Sequence, residues 1–185
     1  MARLPAGDPA PADGALPPEA LAGVGTRPFG FYVHVPFCAS RCGYCDFNTY
    51  VPGERVAEQA GGYVEAVLAE IDLAARVLAD KAPRVDTVFF GGGTPTLLAA
   101  GEQTRILRRI EERFGLAPGA EVTTEANPES VDPAKLAALR EAGFTRLSLG
   151  MQSAVPSVRT AWQIHATSSH QSPPTRTKRR RPSCS

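Results

Sequence analysis

Apolar positions along this chain follow two alternating rhythms. Short β-branched and aromatic runs of strand length stand at residues 31–35, 85–90, 121–127 and 146–150. Each has a stop signal: Pro36 removes a ladder donor after the first run, Gly91, Gly92 and Gly93 end the second, and Pro128 closes the third. Between the runs the spacing becomes helical. Over 55–80, Val56, Tyr63, Val64, Val67, Leu68, Ile71, Leu73, Ala74, Val77 and Leu78 recur at roughly helical spacing, although Gly61 and Gly62 weaken its start. Residues 102–114 set Ile106, Leu107 and Ile110 on one side with charges opposite. Residues 133–142 carry Asp132 as a candidate N-cap, Pro133 at the first position and Gly143 past the end. The order βαβαβαβ predicts an α/β protein whose parallel strands are joined by right-handed crossovers.

Two stretches fall outside the pattern. Residues 1–28 are rich in Pro, Ala and Gly and offer little apolar surface to offset ordering entropy, so a disordered leader is expected there. Residues 29–158 form the patterned body. From Arg159 onward no periodicity survives, and residues 159–185 read as an irregular basic tail produced by a frameshift or truncation. A closed parallel barrel takes about 200 residues or more, so about four β/α units make only part of one. Such a part is expected to leave a strand edge and apolar helix faces uncovered, and an active site incomplete.

Composition narrows the class. No apolar run approaches the ~18 residues of a membrane span, and the N-terminus lacks the basic start and apolar region of a secretory signal, so a cytoplasmic location is expected. The net charge of +1 hides a split, with the body at −5 and the tail at +6. The run Lys178, Arg179, Arg180, Arg181 could engage phosphates, but no aromatic binding sheet or helix-turn-helix accompanies it, and nucleic-acid binding is not expected.

The chemistry concentrates between the first strand and the first long helix. Cys38, Cys42 and Cys45 stand as CxxxCxxC, with Cys184 remote, which is no disulfide framework. Thiolates favour zinc, copper(I) or iron–sulfur clusters, and three of them leave one coordination position open. Residue chemistry leaves three readings: an iron–sulfur cluster, a zinc module completed by His34 or water, or an incidental cluster of thiols.

YVHVPFC, CGYCDF, FFGGGTPTLL, TTEANPES and LSLGMQS, in that order over residues 32–153, together resemble the oxygen-independent coproporphyrinogen III oxidase-like family of the radical S-adenosylmethionine (SAM) superfamily. The resemblance implies a partial radical-SAM (β/α) barrel in which Cys38, Cys42 and Cys45 ligate three irons of a [4Fe-4S] cluster and SAM occupies the fourth. It implies SAM contacts from Tyr32, Gly92, Gly93, Thr94, Glu125 and Gln152. Without it, the glycines read as a tight turn and Glu125 and Gln152 as solvated strand ends. The oxidases of this family carry a further cysteine where this chain has Phe47, and CDFN is similar instead to the bacterial heme chaperone branch. That branch implies binding of heme or porphyrin in the full-length protein and delivery to respiratory proteins. Porphyrin biosynthesis by a coproporphyrinogen III dehydrogenase is the alternative, and an inactive fragment or zinc-binding module the second.

Overall fold

A computed structural model describes residues 11–40, 42, 45–51 and 56–150. Four strands, β1 (Gly30–Val35), β2 (Val85–Gly92), β3 (Leu116–Ala126) and β4 (Arg146–Leu149), form one sheet in the order β1-β2-β3-β4. Every pair is parallel. The connections are α2 (Val56–Leu78), α3 (Ala100–Phe114) and α4 (Pro133–Ala142), preceded by the short α1 (Pro18–Ala22). Among the described residues, no helix is long and apolar enough to cross a membrane.

The two sheet faces differ because strand side chains alternate. Val33, Val35, Val88, Phe90, Val122 and Ala126 are buried. The first five of these meet Val64, Leu68 and Ile71 of α2, Ile106, Leu107 and Ile110 of α3, and Leu139 of α4 in one apolar cluster. A fully buried side chain of this size contributes about 1.5–3 kcal/mol, so this layer holds the sheet flat against its helices. The other face is largely polar. Register aligns Tyr32, Phe89, Thr123 and Arg146 in one row and pairs Glu125 with Ser148 in the next.

The expected helix ends are present in atomic detail. Asp132 accepts from Lys135 N at 2.7 Å, and Gly143 takes the left-handed conformation at φ 107°. Glu102 reaches back to Ala99 N at 2.7 Å, which starts α3 two residues before the apolar pattern showed. Asp72 on α2 pairs with Arg109 and Arg113 of α3 at 2.6 and 2.7 Å, and Glu65 pairs with Arg105 at 2.7 Å.

Three boundaries differ from expectation. β2 continues through Gly91 and Gly92, which pair with His34 and Val35, because a glycine keeps its ladder groups even where no side chain fits. β3 begins at Leu116 rather than 121, with a register shift between Val85 and Thr87; Pro118 and Gly119, a turn signal in the sequence, sit inside that irregular stretch. The leader is also revised. Residues 11–28 include α1, and Leu21 and Val24 pack on the core, because two well-placed apolar residues outweigh an unpromising average composition. Residues 1–10 and the expected tail, 159–185, lie outside the described residues.

Candidate cofactor site at the carboxyl edge of the sheet

All four parallel strands point their carboxyl ends the same way, the edge where α/β proteins place ligands. The cysteine loop leaves β1 at this edge and is anchored before its first thiol. Phe37 is fully buried, with its ring edge-on to Tyr50 and Tyr63 at 5.3 Å each. Tyr63 reaches down from α2 and donates to the His34 carbonyl at 2.8 Å. The loop then closes on itself: Cys38 N donates to Tyr50 O at 3.1 Å, Tyr50 N to Pro36 O at 3.0 Å, and Phe37 bridges Tyr50.

Cys38 and Cys45 are half-buried, Cys42 is exposed, and none of the three is in a disulfide. Burial pushes the Cys38 thiol up, and the Thr49 hydroxyl draws it back. Neighbouring Cys45 and Cys42 raise it further, while the Thr94 hydroxyl lowers it. Thr49 Oγ1 also stands 4.0 Å from Cys45 Sγ. Among the described residues, no three His, Cys, Asp or Glu side chains converge on the position of a single metal ion. Three soft thiolates are donors of the kind an iron–sulfur cluster takes, each on a different iron.

The end of β2 lies directly against the cysteine loop. Gly93 N donates to Val35 O at 2.8 Å and Thr94 N to Phe37 O at 2.7 Å. A Cβ on Gly93 would stand 2.4 Å from Phe37 O and 2.9 Å from Cys38 Sγ; one on Gly92, whose φ is 111°, would meet the His34 ring at 2.7 Å. These glycines are therefore required by the loop itself, whatever they also allow a cofactor to approach.

His34 is not aimed at the thiols. Its Nε2 lies 2.8 Å from Asn48 O, a pure acceptor, so Nε2 carries the proton and, in the neutral ring, Nδ1 accepts from the Tyr32 hydroxyl at 3.0 Å. Tyr32 stacks on Phe89 with centroids 6.1 Å apart and keeps 58% of its surface exposed on the polar face. Burial and then the Glu125 carboxylate push its hydroxyl up. Glu125 shares this face: its Oε2 lies 3.1 Å from where Gly91 would carry a Cβ. Arg146 and Glu121 approach to 3.6 Å along the same surface.

The structure thus brings Tyr32, Gly92, Gly93, Thr94 and Glu125 to the edge that carries Cys38, Cys42 and Cys45. Gln152 lies outside the described residues. Thr94 differs from the others, being only 5% exposed, with its hydroxyl accepting from Asn127 Nδ2 at 3.2 Å. Sequence reasoning passed over Asn127, Thr49 and the anchor Phe37. Asn127, a short polar side chain between a strand and Pro128, carried a recognisable turn signal; the other two become visible only once the loop closes.

A parallel β/α sheet with three free thiols and a glycine-lined strand end at its carboxyl edge is the architecture of a partial β/α barrel with its ligand edge open. Comparison with known proteins agrees. The model of the radical SAM superfamily matches residues 32–170, running past the Val158 boundary expected above, and the chain belongs to that superfamily. It is 51% identical over 138 residues to the heme chaperone HemW of Mycobacterium tuberculosis, covering 75% of this chain and 35% of the relative. It is 38% identical over 146 residues to the mitochondrial radical S-adenosyl methionine domain-containing protein 1 of Bos taurus, covering 77% and 31%. The solved structure of coproporphyrinogen III oxidase (HemN) from Escherichia coli, described as a radical SAM enzyme, superposes with a TM-score of 0.68 at 32% identity, over 78% of this chain and 33% of that one. The chain therefore spans about a third of the length of these relatives. Membership of the superfamily implies SAM and a four-iron cluster.

Proposed function

We propose that this chain is the cofactor-binding part of a cytoplasmic heme chaperone, with Cys38, Cys42 and Cys45 holding a [4Fe-4S] cluster and SAM lying across Tyr32, Gly92, Gly93, Thr94, Glu125 and Gln152. The observation that carries this reading is the packing of the Cys38 loop on Gly93, with Tyr32 and Glu125 on the adjoining polar face. When bound, the cluster supplies the electron for reductive cleavage of SAM. The chain's own residues bind and orient: the buried Phe37 fixes the loop, the glycines let it approach β2, and Glu125 offers a carboxylate to a cationic ligand. Phe47, 66% exposed where the oxidases have a cysteine, favours heme delivery to respiratory proteins over porphyrinogen oxidation. The likeness to an oxidase structure favours the second reading, a coproporphyrinogen III dehydrogenase.

Anaerobic reconstitution with iron and sulfide, followed by absorption and EPR spectra with and without SAM, tests the cofactor reading. A four-iron signal that changes on adding SAM is expected; a chain that takes up only zinc overturns it. Heme titration beside a coproporphyrinogen III turnover assay separates the two functions, and turnover without heme binding would decide for the dehydrogenase.

A further inference from the structure

The carboxyl ends of β2 and β3 are joined by polar contacts that cofactor binding alone leaves without a task. Asn127, the first residue after β3, donates from Nδ2 to Thr94 Oγ1 at 3.2 Å. Its own N–H donates to Ser130 Oγ at 3.0 Å, and Ser130 Oγ donates to Asn127 O at 2.7 Å. That uses the single proton of Ser130, so the 2.6 Å contact between Thr96 Oγ1 and Ser130 Oγ has Thr96 as donor. Lys135 closes the bracket from α4, donating to Thr96 O and, at 3.5 Å, to Ser130 O. Asn127 Oδ1 also lies 3.3 Å from where Gly150 would carry a Cβ, and Gly150 N donates to Ala126 O at 2.9 Å. Three strand ends therefore meet at one side chain.

The bracket connects the cysteine loop to the β3 end. Thr94 N is bound to Phe37 O, next to Cys38, while Asn127 stands two residues from Glu125. Thr94 and Thr96 are both nearly fully buried, so their hydroxyls have no water to exchange partners with and each bond defines a distance.

We propose that Asn127 and Ser130 are positioning residues, which hold the Glu125 end of β3 at a fixed offset from the cysteine loop and so set the affinity for SAM. The proposal rests on the cofactor reading above. Asn127 reaches Cys38 through the Thr94 hydroxyl, whereas Ser130 bonds Asn127 and Thr96, so iron uptake and SAM binding separate most cleanly in Ser130→Ala. The test uses the reconstituted full chain as wild type, Asn127→Ala, Ser130→Ala and Ser130→Thr, with SAM titrated against the EPR signal and by calorimetry. Iron content at the wild-type level with SAM bound about tenfold more weakly in both alanine variants is expected, with Ser130→Thr restoring affinity because it keeps the hydroxyl. Equal SAM affinity in wild type and Ser130→Ala overturns the proposal; that variant decides the matter if Asn127→Ala fails to fold. A wild-type chain that loads iron yet shows no response to SAM overturns the underlying cofactor reading instead.

Discussion

Gly93→Ala adds one methyl group where the cysteine loop meets β2. The new Cβ would stand 2.4 Å from the Phe37 carbonyl oxygen and 2.9 Å from Cys38 Sγ, whereas ordinary contact begins at 3.4 Å. The carbonyl must retreat by about 1 Å to reach that distance. It cannot do so freely, because it accepts from Thr94 N at 2.7 Å and belongs to Phe37, which is fully buried. Overpacking of this kind costs about 1–3 kcal/mol, and a chain of this size loses about 2–4 °C of melting temperature per kcal/mol. The displaced atoms include a proposed cluster ligand, so iron bound after anaerobic reconstitution should fall further than stability does. Thermal melts of the unreconstituted chain and iron per chain after reconstitution measure the two effects. The control is Gly61→Ala in α2, where nothing lies within 4 Å of the added atom; it should stabilise by about 0.5–1 kcal/mol through helix propensity alone. A Gly93→Ala chain that melts with wild type and loads iron fully would refute the steric reasoning.

Two further outcomes follow from packing and charge. Phe37→Ala removes a fully buried ring held between Tyr50 and Tyr63 and should cost about 3–5 kcal/mol in urea unfolding; a loss under about 1 kcal/mol would mean that the ring is no anchor. Burial alone would raise the Asp72 carboxyl, but hydrogen bonds and charge from Arg113 and Arg109 hold it below the usual carboxylate range. A folded-state value below the unfolded one gives stability that is fully present above the ordinary range near pH 4 and is lost as pH falls through the folded value. Asp72→Asn should therefore flatten the acid limb of stability against pH, and an unchanged slope in urea melts across that range would count against the pairing.

The strands and crossovers were legible because period-two and helical spacing report directly on which face a residue buries. Asp132, Pro133 and Gly143 marked α4 to the residue, since capping is local chemistry. What stayed hidden depends on distant partners. Gly92 and Gly93 read as a turn or a cofactor approach, and their collision partners, His34 and Cys38, lie on β1 and on the loop that follows it. Thr94 read as a ligand contact, and its hydrogen bond from Asn127, thirty-three residues away in the chain, left no local signal. The start of β3 was masked by Pro118 and Gly119, whose turn signal proved to be an irregularity tolerated inside the strand. In the leader, Leu21 and Val24 were diluted by an average taken over many small residues.

The pairing of Phe37 with Tyr50 bears on how the chain would meet the proposed cluster. Closing a loop of this length costs on the order of 2 kcal/mol of chain entropy, and here backbone bonds and one buried ring have already closed it. Zinc fingers, by contrast, stay unfolded until metal arrives. The proposed cluster would then be a guest in a standing scaffold, and the polypeptide is expected to remain folded when that cluster is absent.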